Sequence, residues 1–259
     1  MNRISRAFRD KKAFVAFITC GDPDFETTEK CVLAAVENGA DVIELGIPFS
    51  DPTAEGPVIE AASMRALAGG ATTDKAFGLA CRLRSVVSVP LVFMTYANVV
   101  FSYGADRFFK KCHEAGVDGI VIPDLPFEER GEFLSEARRH GVALISMIAP
   151  TSKERTAMIA RQAEGFIYLV SSLGVTGERS AITTDIASIV GIIRRNTAVP
   201  VAVGFGISTP EQARAMASLS DGAIVGSAIV RLVAEHGRDA PEHVGRFVRS
   251  MKTALLEVR

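Results

Sequence analysis

The sequence predicts an α/β protein: a (β/α)₈ TIM barrel with an extra N-terminal helix and a short inserted helix after strand 2. Three observations predict it. Eight short runs rich in β-branched residues recur roughly every 30 residues. Each run is almost continuously apolar and does not alternate, the signature of strands buried on both faces, as in a parallel sheet. Between the runs lie segments with helix start and stop signals. At 259 residues, without a linker-like stretch, the chain is expected to be one barrel domain over 1–259. An open doubly wound sheet is the runner-up.

The elements follow in order. A basic segment expected to form a helix at 2–10 precedes the first strand, "FVAFIT" (14–19). That apolar run is short and leads straight into "DPD" with no small-residue cleavage pattern, so it reads as a strand and not as a signal peptide. The helix "FETTEKCVLAAVENGA" is opened by Asp24 as a cap and closed by Gly39. After the second strand, "DVIEL" (41–45), an inserted helix at 56–68 precedes the helix at 73–86. The third and fourth strands are "PLVFMTY" (90–96) and "GIVIPD" (119–124). In "FEERGEFLSEARRHG", Phe127, Phe133, Leu134 and Ala137 form one stripe and Gly141 follows. The fifth and sixth strands are "VALISMI" (142–148) and "GFIYLVS" (165–171), and the long polar loop "SSLGVTGERSAITTD" (171–185) has the composition of a lid. "PVAVGFG" (200–206) is the seventh strand, Thr209 and Pro210 open the next helix, and "GAIVGS" (222–227) is the eighth strand.

Composition narrows the function. The net charge is −1 with no long basic run, so neither nucleic acid nor a membrane surface has electrostatic support as a partner. No stretch approaches the ~18 continuous apolar residues of a membrane helix. Cys20, Cys31, Cys81 and Cys112 lack CxxC spacing, which argues against zinc and a disulfide framework and for reduced thiols in the cytoplasm.

Barrel chemistry sits where strands end, and there the stretch "ELGIPFSDPTAEGP" (44–57) carries Glu44, Asp51 and Glu55 with no basic residue among them. Glu44 ends the second strand among apolar neighbours. Partial desolvation there favours its neutral form and suits it to general acid–base work. The alternative is a Glu paired with a Lys or Arg of an adjacent loop. Glu55 lies in a loop stiffened by Pro48, Pro52 and Pro57, which can aim a carboxylate at a substrate N–H or at developing positive charge. It could equally be an exposed acid near a helix N-terminus. Asp51, before Pro52, reads as a turn residue or a partner contact. At the chain's other end, Gly206 closes the seventh strand, and Gly226 and Ser227 end the eighth and open a helix. Glycine turns and a helix N-terminus are where barrel enzymes commonly hold a phosphate. The first cluster lacks the third glycine of a dinucleotide fingerprint, so NAD is not inferred.

Taken in order, "FVAFITCGDP", "DVIELGIPFSDPTAEGPVIEAASMRAL", "MTYANVVFSYG", "GVDGIVIPDLPFEE", "IYLVSSLGVTG", "GFGISTPEQ" and "GSAIV" resemble the α subunit of tryptophan synthase from end to end. The resemblance implies a lyase of tryptophan biosynthesis. It would cleave indole-3-glycerol phosphate to indole and glyceraldehyde 3-phosphate by a retro-aldol reaction, with no metal or cofactor in this chain. It makes Glu44 the proton-transfer residue and Glu55 the acceptor of the indole N–H. Most family members carry Asp at the latter position, so the longer Glu is a departure that alters reach. Tyr168 matches a tyrosine beside those acids, Phe17 and Tyr96 match indole-pocket positions, and Phe205 lies beside the phosphate loop. Thr176 and Gly177 match the lid, and Gly177, Gly206, Gly226 and Ser227 the phosphate ligands. The implied partner is a pyridoxal-phosphate β subunit in an α2β2 complex, which receives indole through a channel and docks near Asp51 and Pro52. The alternative is a catalytically weak subunit kept mainly to activate β.

Overall fold

A computed structural model describes residues 2–150, 152–171, 185–204 and 206–258. Eight parallel strands close in sequence order, β1 through β8, with β8 pairing back onto β1. The first half runs α1 (Arg3–Ala7), β1 (Ala13–Thr19), α2 (Phe25–Glu37), β2 (Val42–Gly46), α3 (Pro57–Ala68), α4 (Thr73–Arg84), β3 (Leu91–Met94), α5 (Ala97–Tyr103), α6 (Ala105–Glu114) and β4 (Gly119–Val121). The second half runs α7 (Gly131–Arg139), β5 (Ala143–Ile148), α8 (Lys153–Arg161), β6 (Ile167–Val170), α9 (Ile186–Asn196), β7 (Val201–Gly204), α10 (Pro210–Leu219), β8 (Gly222–Val225), α11 (Ser227–His236) and α12 (Ala240–Leu256).

The barrel and the inserted α3 agree with the sequence expectation, as do the caps. Asp24 accepts from the Thr27 N–H at 2.7 Å, and Thr209 and Gln212 form a reciprocal capping box before Pro210. Three differences have local causes. The N-terminal helix is shorter than 2–10: it stops at Ala7, and Asp10 takes a left-handed φ of 57° that no helix continues through. The stripe from Phe127 to Ala137 is not one helix; a 3₁₀ turn (Phe127–Glu129) and α7 meet at Arg130. The helix α5 occupies residues 97–103, where the sequence reading placed none; its first N–H, on Ala97, is capped by the Asp124 carboxylate at 2.9 Å.

Two cores follow from the closed sheet. An inner cluster fills the barrel with Val15, Phe17, Val42, Val92, Val121 and Tyr168, and α1 adds Ile4, Ala7 and Phe8 to it. An outer cluster lies between strands and helices. Register is pinned by a repeated device. Asp41, Asp118 and Asp221 each sit one residue before β2, β4 and β8. Each carboxylate accepts a backbone N–H from the start of the preceding strand: Phe14 at 2.8 Å, Leu91 at 3.0 Å and Val201 at 2.9 Å. Asp41 also receives Lys11 at 2.5 Å and Lys252 at 2.6 Å, so one carboxylate joins β1, β2 and α12.

The closing seam is tight. Gly222 stands in register with Ala13 of β1 and Ala202 of β7. A Cβ there would lie 2.5 Å from the Ala13 carbonyl oxygen, and backbone cannot step aside as a side chain can. Gly222→Ala is therefore expected to lose about 1–3 kcal/mol of stability, read as a lower urea midpoint. An unchanged midpoint would show that the seam yields.

Candidate active site

Inward positions of β2 are Val42, Glu44 and Gly46, and the pleat turns all three to the barrel interior. Glu44 is in register with Phe17 of β1 and Val92 of β3, and only 1% of its surface is exposed. Neither of its carboxyl oxygens has a hydrogen-bond partner among the described residues. The alternative of a Glu paired with a loop Lys or Arg is thereby excluded for those residues. The desolvation is complete rather than partial, and burial, with the Glu55 charge as a second cause, pushes the Glu44 carboxyl up to about 8.

Glu55 is half-buried in the loop before α3. Burial raises its carboxyl to about 7, against a lowering hydrogen bond from the Tyr96 hydroxyl. That hydroxyl accepts from the Ala54 N–H at 3.3 Å, and the Tyr96 ring stacks on Phe49 with centroids 5.2 Å apart. Tyr96 thus ties the carboxylate loop to the end of β3. The alternative of Glu55 as a merely exposed acid does not hold. Asp51 is exposed, and its carboxylate accepts from the Ser50 hydroxyl.

Two glycines make room for the aromatic walls. A Cβ on Gly46 would meet the Phe17 ring at 2.5 Å, and a Cβ on Gly204 would meet the Tyr168 ring and hydroxyl at 2.6 Å. Tyr168 is buried, and the nearby Glu44 charge adds to burial in raising its hydroxyl well above the ordinary value. Glu55 and Tyr96 lie beyond the C-terminal ends of β2 and β3, Phe17 two residues before the end of β1 and Glu44 in the middle of β2, while Tyr168, second in β6, reaches Gly204 at the end of β7.

The same end carries the glycine turns. Gly206 has φ 77°, and Gly226 caps α11, whose first residue is Ser227. No side chain caps the first turn of α11, as is also true of α3, α5, α6, α7 and α12. Gly226 also lies against Phe17, 3.4 Å from a constructed Cβ to the Phe17 side chain, so the turn and the carboxyl pocket share a wall. Thr176, Gly177 and Phe205, with most of the expected lid, fall outside the described residues.

Sequence reasoning missed what depends on long-range contact. Nothing local signals that Tyr96 reaches Glu55, or that Gly46 and Gly204 are spaces for rings. Thr19, which follows Phe17 by two in β1 and pairs with Gly46, is buried with an unpartnered hydroxyl at the same mouth. Its signal was the period-two spacing from Phe17. Among the described residues no group of three or more His, Cys, Asp or Glu side chains could hold a metal ion, and no helix is long and apolar enough to cross a membrane.

A family model described as "Tryptophan synthase alpha chain" matches residues 5–256. The tryptophan synthase alpha chain of Lacticaseibacillus casei is 48% identical over 255 residues, covering 98% of this chain and 96% of that one. The crystal structure of the tryptophan synthase alpha chain from Legionella pneumophila subsp. pneumophila superposes with a TM-score of 0.88 at 36% identity, covering 98% and 97%. A chain of the tryptophan synthase complex from Pyrococcus furiosus superposes with a TM-score of 0.84 at 36% identity, covering 93% and 98%. Barrel, strand-end carboxylates and end-to-end match agree, and the chain belongs to the tryptophan synthase alpha chain family.

Proposed function

We propose that Glu44 and Glu55 divide the chemistry of the family's reaction, the cleavage of indole-3-glycerol phosphate to indole and glyceraldehyde 3-phosphate. The observation that carries this reading is geometric: Glu44 is fully enclosed with neither oxygen bonded among the described residues, whereas Glu55 is half-buried beside the Tyr96 hydroxyl. Burial raises both carboxyls, but only Glu55 has a hydrogen-bond donor among the described residues, Tyr96, favouring its anion. Environments that push two carboxyls apart assign acid and anion.

The proton accounting closes on one group. Protonated Glu44 gives its proton to C3 of the indole ring, which makes the ring an electron sink and moves positive charge toward N1. Glu55, as the anion, accepts the N1–H and stabilises that charge. Glu44, now a carboxylate, takes the proton of the C3′ hydroxyl as the C–C bond breaks. The bonding pair returns to the ring, the hydroxyl carbon becomes the aldehyde, and Glu44 is again an acid. Phe17, Tyr96 and Tyr168 wall the ring. Gly206, Gly226 and Ser227, with Gly177, offer backbone donors at the open end of α11 to the phosphate. Thr176 and Phe205 complete the reading as lid and pocket residues.

The reading extends to a partner. The loop with exposed Asp51 and half-buried Pro52 is the expected docking edge for a β subunit in an α2β2 complex. Pyridoxal phosphate would belong to that β subunit, and the assembly would work in the cytoplasm.

Four outcomes are expected. Glu44→Gln is near-isosteric but cannot exchange a proton, so kcat for indole release should fall by about 10²–10⁴-fold with substrate binding retained; a loss under about tenfold would remove Glu44 from the mechanism. The kcat/KM profile should be a bell. It rises as Glu55 ionises near about 7 and falls as Glu44 ionises near about 8, because Glu55 must be charged and Glu44 protonated. Tyr96→Phe removes the donor that lowers Glu55 and should move the rising limb to higher pH; an unmoved limb would break the Tyr96–Glu55 link. Finally, adding a purified tryptophan synthase β subunit should raise indole release by this chain, and full activity without it would speak for an enzyme acting alone.

A further inference from the structure

A second cavity lies away from the carboxylates. It is walled by Ile122, Leu125, Leu144, Ser146 and Ile159, with Phe127 and Arg130 at one side, and measures about 50 Å³. Ile122, Leu144 and Ile159 belong to the outer core, so the space is between strands and helices and not inside the barrel. By the measure in which one water needs about 10–15 Å³, it has room for about three to five heavy atoms.

Its polar feature is out of place. Arg130 sits where the 3₁₀ turn and α7 meet, and only 7% of it is exposed. Nη1 donates to the Gln162 carbonyl at 2.9 Å, and the guanidinium carbon lies 5.5 Å from the Phe127 ring centroid. Nη2 is buried with no partner. Among the described residues no carboxylate pairs with Arg130; Glu164, whose charge reaches it, is taken by Arg138. Arg84, the other arginine among the described residues with an unpartnered buried nitrogen, has Asp118 at 3.7 Å. A buried cation with an open donor, whose nearby carboxylate Glu164 is bonded to Arg138 and not to it, is costly unless something anionic completes it.

We propose that this cavity binds a small monocarboxylate of about propionate size, its carboxylate on Arg130 and its alkyl end against Ile122, Leu125, Leu144 and Ile159. A guanidinium presents a planar fork that matches a carboxylate. The single positive charge balances a monoanion, whereas a phosphate dianion would bring a second charge into apolar walls. The volume excludes anything as large as an indole ring with a side chain, so the ligand is not the substrate of the barrel site. Ser146, the one hydroxyl in the wall, supplies a second hydrogen bond.

The test titrates the full chain with sodium propionate at constant ionic strength made up with chloride, followed by NMR and calorimetry. Saturable one-site binding is expected. Chloride and 1-propanol should not reproduce it, and saturating glycerol phosphate, which reports the barrel site, should not displace it. Arg130→Met should weaken binding at least about tenfold, the scale of a lost charge-assisted pair. Ser146→Leu, which fills the cavity and keeps the guanidinium, should do the same and carries the test if Arg130→Met does not fold. No saturable binding, displacement by glycerol phosphate, undiminished binding in either folded variant, or a soaked crystal with only water at Arg130 would each overturn the proposal.

Discussion

The unpartnered burial of one carboxyl group is the constraint on which this end of the barrel depends. Glu44 is fully enclosed, and neither of its oxygens is bonded among the described residues. In water such a group ionises freely; here its charged form is penalised, and the proton stays on near neutral pH. The surroundings preserve that condition. Phe17 covers it from β1 because Gly46 has no side chain to hold the ring off, and Gly204 gives Tyr168 the same freedom on the opposite wall. A carboxyl that is merely buried would be a liability to folding. One that is buried beside a less buried, hydrogen-bonded second carboxyl is a pair with two different environments, set first by burial and then by a tyrosine hydroxyl.

The rest of the barrel serves as a rigid mount. The three aspartates that precede β2, β4 and β8 each bridge to a neighbouring strand, so alternate strands are locked in register at their starting ends. The catalytic candidates lie at the finishing ends. A slip of one residue would turn Glu44 from the interior to the helix layer, and the aspartate bridges oppose such a slip at the opposite face from the one where chemistry is proposed. The register bridges and the proposed chemistry thereby lie at different ends of the same strands, as barrels allow.

The strands were legible because burial on both faces leaves an unbroken apolar run, and the helix caps because a cap is a local hydrogen bond within three residues. Glu44 was legible for the same local reason: a lone charge in such a run must be accounted for. Tyr96 was visible as an aromatic at a strand end, but not as the partner of a residue 41 positions earlier. The aspartate bridges span 20–27 residues and were not read at all. They are recognisable only when one sees that the same residue type recurs just before three strands. The break at Arg130 escaped because periodicity on either side of it is intact.

Closure joins the beginning of the chain to its end. β1 is paired on one side by β2, made within the next 30 residues, and on the other by β8, more than 200 residues later. Lys252 in the last helix completes the anchor by reaching both Asp41 and the Lys12 carbonyl. As the polypeptide leaves the ribosome, α1 and β1 emerge first and one edge of β1 waits open until nearly everything else has been synthesised. A nascent chain stalled before β8 presents that apolar edge to whatever surrounds it, so the architecture leaves it exposed to misassembly through most of the chain's synthesis.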